Sequence, residues 1–360
     1  MDEEEHEEVS QQNRERREVS KTAKEVVEGQ TPQVLNLHKQ IRELEKERRG
    51  LVERLGAQQD FADLCAAAVV AMDPFPVPPS RKSSKVAKPI SAVLDLSDWH
   101  VGEFVNSREV EGFNRYNWGI AQNRAFSIVT DFLNYVDVQR SVYTIDECVV
   151  CALGDYVSGD IHPELVATNE FPLPEQSVKA GVLLGECVLR VAGHFKVVRV
   201  EAVGADNHGR LQKKPQAKQK TANNMSFVVH AVAQASTERC PNVRWNVAKG
   251  AKLLVDVNGV RFLCEHGDAV RGQMGIPYYG FARMVGREAT RRMNTAKAFD
   301  FVNMGHWHVP AFIEGRTLVN GSLSGTTEFD HIAGRHAPPS QVAFFVHPKF
   351  GIFNLTAFKC

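Results

Sequence analysis

Ser91-Ala92-Val93-Leu94-Asp95-Leu96-Ser97-Asp98-Trp99-His100 is an apolar run closed by a carboxylate and an imidazole. Four more clusters of this kind follow: Gly154-Asp155, Asp206-Asn207-His208, Glu265-His266-Gly267-Asp268 and Gly305-His306-Trp307-His308. Most of them follow short runs rich in Val, Leu, Ile or Phe, so each reads as a strand ending in a loop that carries Asp, Asn or His. Five such loops point to a site for two metal ions. Carboxylate and imidazole suit Mn²⁺, Fe and Zn²⁺ better than Mg²⁺ or Ca²⁺.

A single histidine after a strand is usually packed or solvated, and the order of all five clusters is what separates this chain from that case. Asp-x-His, Gly-Asp, Asn-His, His and Gly-His-x-His together resemble the metal signature of the calcineurin-like metallophosphoesterases, over about residues 91–325. The resemblance implies an α/β fold, a four-layer αββα sandwich with the metals at one rim. It implies Asp98 and His100 as ligands of a first metal, Asp155 as the shared carboxylate, and Asn207 and His266 as ligands of a second. His306 then goes to the second metal and His308 to the first. His208 matches the histidine that protonates the leaving oxygen, and His162 is a second candidate for contact with phosphate or leaving group. Mn²⁺ is the expected metal of the pair, with Fe or Zn as alternatives.

Departures from the pattern fall around His208. Asp206 stands where the family usually has Gly, Gly209 where an acidic residue often orients the imidazole, and Ser158 where a second Asp is usual, with Asp160 two places later. The sequence leaves open what orients His208; Asp206 and Asp98 are the side chains that could substitute.

The chemistry fits the residue types. Two cations about 4 Å apart neutralise phosphate oxygens and lower the pKa of a shared water. Neutral ligands such as Asn207 and the histidines keep the cations electrophilic, and the leaving oxygen needs a general acid, here His208.

Substrate must be read from the surroundings. The run from Gly209 to Lys220 holds five cations and no acid, and Arg210, Lys213 and Lys214 begin it next to His208. Between His266 and His306 lie Arg271, Arg283, Arg287, Arg291, Arg292 and Lys297, with Tyr278, Tyr279 and Phe281 near the start. Cations with aromatics fit a groove for a nucleic-acid backbone; the alternative is a solvated helix face with the aromatics in the core. The runs Gly154–His162 and Asn207–Pro215 also resemble phage- and plasmid-borne phosphoesterases, and the nearest functional analogy is the double-strand-break repair nucleases. The leading expectation is a DNA nuclease. The rivals are a phosphatase or phosphodiesterase of nucleotides, phosphoproteins or small esters, and a non-catalytic interaction module. Asn320-Gly321-Ser322-Leu323-Ser324-Gly325 is expected to turn near the last histidines.

The 360 residues divide by composition. Residues 1–30 form an acidic tail. Residues 31–71 are helical: Val34, Leu37, Ile41, Leu44, Leu51 and Leu55 keep heptad spacing, giving a short coiled coil for a homodimer or protein partner, or one amphipathic helix packed on its own domain. Residues 72–90, rich in Pro, Ser and Lys, form a linker, and residues 91–360 the α/β domain. Net charge is zero, so no global field attracts nucleic acid. Seven scattered cysteines fit reduced thiols, and alternation along a strand argues against a zinc site at Cys148 and Cys151. The polar N-terminus is unlike a signal peptide, and no run matches a membrane span. Together these place the protein in a cytoplasm, that of a bacterial host if the gene is viral.

Overall fold

The computed structural model describes residues 36–50, 89–272 and 277–360. The acidic tail, most of the linker and the second half of the heptad run lie outside the described residues. The chain divides into two units between Ala66 and Ala67. In the first, residues 36–50 are helical and Leu37, Ile41 and Leu44 are exposed.

The second unit runs β1 (Pro89–Ser97), α1 (Trp118–Gln139), β2 (Thr144–Gly154), α2 (Pro163–Thr168), α3 (Leu173–Ala192), β3 (Val197–Ala202), α4 (Ser226–Thr237) and β4 (Val243–Val247). It continues with β5 (Lys252–Val257), β6 (Val260–Glu265), α5 (Tyr278–Arg292), β7 (Phe301–Met304), β8 (Ala311–Ile313), β9 (Thr317–Val319), α6 (Glu328–Ile332), β10 (Ser340–His347) and β11 (Gly351–Lys359). One sheet has the order β11-β10-β1-β2-β3-β4 and the other β5-β6-β7-β9-β8. Strands β1 to β4 are mutually parallel, as are β6, β7 and β9, while β5, β8, β10 and β11 pair antiparallel. β1 opens at Pro89, so the expected linker ends two residues early, and Ile90 is already buried.

The sheets meet through an apolar layer. Val93, Val149, Cys151 and Phe344 of the first sheet pack with Phe262, Cys264 and Leu318 of the second. Alternation sends the other side chains of the second sheet outward, where Leu263, Val302, Met304 and Val319 receive Phe281 and Val285 of α5. Helices α1, α3 and α4 border the strands of the first sheet. Asn117 caps α1 by accepting from Ile120 N at 2.9 Å, and the helix buries Ala121, Ala125, Ile128, Phe132 and Val136 at spacings of three and four. Gly181 and Gly185 let α3 and α4 touch: a Cβ on either would lie 2.7 Å from the Cβ of Val232 or of Ser236. The result is two mixed sheets flanked by helices. The cysteines among the described residues are free thiols, and no described helix is long and apolar enough to cross a membrane.

Candidate metal centre

All five clusters lie just beyond the carboxyl ends of parallel strands, β1, β2 and β3 in one sheet and β6 and β7 in the other. That rim is where an open α/β sheet leaves a crevice. The chain turns sharply there. Asp98, His100, Asp155, His306 and His308 all have φ between 49° and 72°, the left-handed region that residues with a Cβ rarely adopt. Each costs on the order of 1–3 kcal/mol, and such strain persists where the surrounding structure holds it. Gly154 and Gly267 take the same sign of φ beside Asp155 and His266.

The side chains converge in three groups whose ligand atoms lie within 4.8 Å of one another: Asp98, His100 and His308; His100, Asp155 and His208; and Asp155, His266 and His306. His100 Nε2 and His308 Nε2 are 3.1 Å apart, and His308 Nε2 is 3.5 Å from Asp98 Oδ1. His266 Nε2 is 2.9 Å from Asp155 Oδ2 and 2.8 Å from Asn207 Oδ1. Asp155 joins the second and third groups.

This arrangement fits divalent ions. His266 Nδ1 donates to Leu153 O at 2.8 Å, so a neutral ring presents the Nε2 lone pair to two oxygen acceptors. A lone pair this close to two oxygen acceptors requires a proton or a cation between them. His100 Nδ1 is buried without a hydrogen-bond partner. Without a metal, a proton does this work at His266: burial lowers its pKa, but Asp155 more than compensates and raises it to about 10. Burial pushes Asp155 up, yet His266, His208 and His100 hold it well below the usual carboxylate range. Burial drives His100 well below the ordinary imidazole value, reinforced by His208 and His308, and takes His306 down to about 4, aided by His266. Burial also lowers His308, but its hydrogen bond to Asp98 prevails and raises it.

His208 takes its orientation from a backbone group. Its Nδ1 donates to Ser158 O at 2.6 Å, and its own backbone N–H donates to Asp155 Oδ1 at 2.9 Å. Neither Asp206 nor Asp98 takes this role. Asp206 is a buried brace: it accepts from Asp155 N at 2.9 Å, from Gly209 N at 2.7 Å, and from Ser226 Oγ. Burial, together with the nearby Asp155, raises its pKa. His162 is the N-cap residue of α2, exposed, with its ring 6.5 Å from that of His208. Burial, then His208 and Arg210, lower its pKa. Asp160 is exposed.

A polar network behind Asp98 is not evident in the sequence. Ser97 Oγ donates to Asp98 Oδ2, and His306 N donates to Asp98 Oδ1 at 2.9 Å. Asn320 Nδ2 donates to Ser97 Oγ at 2.9 Å, and Gln341 Oε1 accepts from Ser97 N at 2.8 Å. The expected turn at 320–325 lies against this loop, with Leu323 N and Ser322 Oγ both donating to Asp98 O.

A groove of about 700 Å³ opens beside Asn207, His266 and His306. Arg210 and Arg271 line it, but Lys213 and Lys214 do not, and both are exposed. The Arg210 guanidinium is engaged by the carbonyls of Asn207, Gln212 and Lys213, so it folds its own loop. Lys220 pairs with Asp268 at 2.7 Å. The aromatics of α5 divide: Phe281 is core, while Tyr278 and Tyr279 are about 60 % exposed.

No protein-family model and no curated protein matches the chain. Among solved structures, it is similar to a conserved uncharacterised protein from Streptococcus pneumoniae TIGR4, described as a predicted phosphoesterase, at 12% identity and TM-score 0.25, over 50% of this chain and 91% of that one. It is also similar to Vps29 from Entamoeba histolytica complexed with Zn²⁺, at 10% identity and TM-score 0.26, over 74% and 98% of the two chains. Alignments this loose do not establish a common fold, and the ligand geometry stands independently of them.

Proposed function

We propose that this chain is a phosphoester hydrolase that works with two divalent cations. Asp98, His100 and His308 would hold one, Asn207, His266 and His306 the other, and Asp155 would serve both. The observation that carries this reading is the approach of His266 Nε2 to within 2.9 Å of Asp155 Oδ2 and 2.8 Å of Asn207 Oδ1. Divalent cations bound there would offset phosphate charge and activate water for attack. The remaining work belongs to the chain. The strained loops fix the ligands before substrate arrives. His208, held through Nδ1 by Ser158 O, has Nε2 left to carry a proton to the leaving oxygen. Its N–H bond to Asp155 ties that proton donor to the shared carboxylate.

The substrate we favour is a nucleic-acid phosphodiester, the chain acting as a Mn²⁺-dependent DNA nuclease of phage or plasmid type. Supporting it is the groove beside the second subsite, whose wall includes Arg271 and Lys218. We also propose that Leu37, Ile41 and Leu44, exposed at spacings of four and three, pair with a second copy or another protein; sedimentation of Leu37→Asp/Leu44→Asp beside wild type tests this.

The decisive assay is Mn²⁺-dependent hydrolysis of bis-p-nitrophenyl phosphate and of linear, circular and single-stranded DNA by wild type and Asp155→Asn. Cleavage by wild type and its loss in the variant is the expected result. Hydrolysis of the small ester with DNA left intact would favour the phosphatase alternative, and inertness toward every ester would end the enzyme reading.

A further inference from the structure

A second cavity, of about 370 Å³, lies along α5 and shares Ala269 and Arg271 with the groove at the metal centre. Tyr279, Arg283 and Arg287 line it at positions i, i+4 and i+8, one face of the helix. Phe281 and Val285, two positions on from Tyr279 and Arg283, are buried in the core, so the sheet fixes which way that face points. Gly280 sets the remaining wall. A Cβ there would collide with Arg271 O and lie 2.9 Å from Val270 Cγ1, so α5 is pressed against the loop that carries Arg271.

The charge in this cavity is one-sided. Its acid, Glu288, is already matched by Lys252 at 3.3 Å, Arg291 at 3.4 Å and Arg292 at 2.8 Å. Among the described residues, Arg271, Arg283 and Arg287 have no ion-pair partner, and all three are exposed. Three uncompensated guanidiniums with an exposed tyrosine at the end of the row match successive phosphates and a stacked base. Arg271 lines both cavities, so a strand running from the metals to α5 would meet it on the way.

We infer that the α5 cavity is a binding site for single-stranded nucleic acid, with Arg271, Arg283 and Arg287 on its phosphates and Tyr279 on a base. This deepens the hydrolase reading by naming its substrate, yet the two can fail separately. The test uses the full-length protein, a labelled thymidine oligonucleotide and EDTA to prevent turnover, with anisotropy read across a salt series. For Arg283→Gln/Arg287→Gln, two lost phosphate contacts at about 0.7 each predict that the log–log salt slope shrinks by about 1.4. Tyr279→Ala should weaken binding about tenfold while leaving affinity for inorganic polyphosphate unchanged. Both variants should hydrolyse bis-p-nitrophenyl phosphate at the wild-type rate, which also shows that they fold. An unchanged salt slope in the double variant would overturn the inference, as would polyphosphate and oligonucleotide responding alike to Tyr279→Ala, or duplex binding as tightly as single strand. If the arginine effects appear but no ester is hydrolysed, the strand site stands and the hydrolase reading falls; ester hydrolysis with no strand binding is the reverse.

Discussion

Gly305→Ala tests how the first subsite is built. Gly305 is not among the residues with positive φ, so its backbone accepts alanine. What alanine adds is a Cβ 2.7 Å from Ser97 Oγ and closer still to Asp98 Oδ2, where ordinary contact begins near 3.4 Å. The carboxylate would have to retreat by several tenths of an ångström or more. It cannot do so freely, because Ser97 Oγ holds Oδ2 and His306 N holds Oδ1. Disturbing groups that orient a ligand typically costs about 10–100-fold in metal affinity, or about 1.4–2.7 kcal/mol. The assay is Mn²⁺ titration by calorimetry with metal analysis of the dialysed protein. One tight site should survive and the other weaken. Gly286→Ala is the control: it lies within α5 with nothing within 4 Å of its added Cβ, and it should gain up to about 1 kcal/mol of stability with metal binding intact. Two Mn²⁺ per chain at wild-type affinity in Gly305→Ala would refute the idea that Asp98 is wedged in place for its ion.

Further outcomes follow from the surrounding network. Asp206→Ala leaves Asp155 N, Gly209 N and Ser226 Oγ without their acceptor, and at about 1–3 kcal/mol per buried orphan it should cost 3 kcal/mol or more in urea denaturation. His208→Ala should slow turnover while both metals stay bound, since the ring is held through Ser158 O; metal analysis showing stoichiometric loss would contradict that role. Burial raises Asp95 to about 7, so the folded state holds a proton there that the unfolded chain releases above its ordinary value. That contribution is full below pH 3.8 and lost as pH rises through 7; Asp95→Asn should therefore gain on wild type over this window, by up to about 4 kcal/mol. Because His266 carries a proton at neutral pH without metal, an ion bound by its Nε2 should release about one proton on binding, measurable by calorimetry in buffers of different ionisation enthalpy.

The five loops were legible because most follow strands whose C-terminal ends are buried, so short runs rich in Val, Leu, Ile or Phe end abruptly in polar residues. β1 is the clearest case, buried from Ile90 to Ser97, and β7 and β9 fall where the apolar pattern places them. Helix α4 was not read: Phe227-Val228-Val229 opens it with residues that also suit a strand, and only packing of Val229, Val232 and Ala233 against α3 decides for helix. The partner of His208 stayed open because a backbone carbonyl serves, and no side-chain spacing marks it. Asn320 and Gln341 escaped notice for a different reason: Gln341 reaches Ser97 across 244 positions, and no local spacing encodes such a contact. Basic residues were visible, but whether each faced a groove, a carbonyl or an acid was not. Arg210 and Lys220 turned out to be engaged by their own surroundings, and Arg283 and Arg287 to be free of ion pairs among the described residues.

The proposed hydrolase requires loops from both sheets to grip two cations that share Asp155. Anomalous diffraction at the manganese edge from a crystal soaked in Mn²⁺ tests it most directly. Two peaks about 4 Å apart on either side of the Asp155 carboxylate, one beside His100 and His308 and the other beside His266 and His306, are the predicted result. An absence of peaks at that rim, or a single peak that does not touch Asp155, would contradict the account.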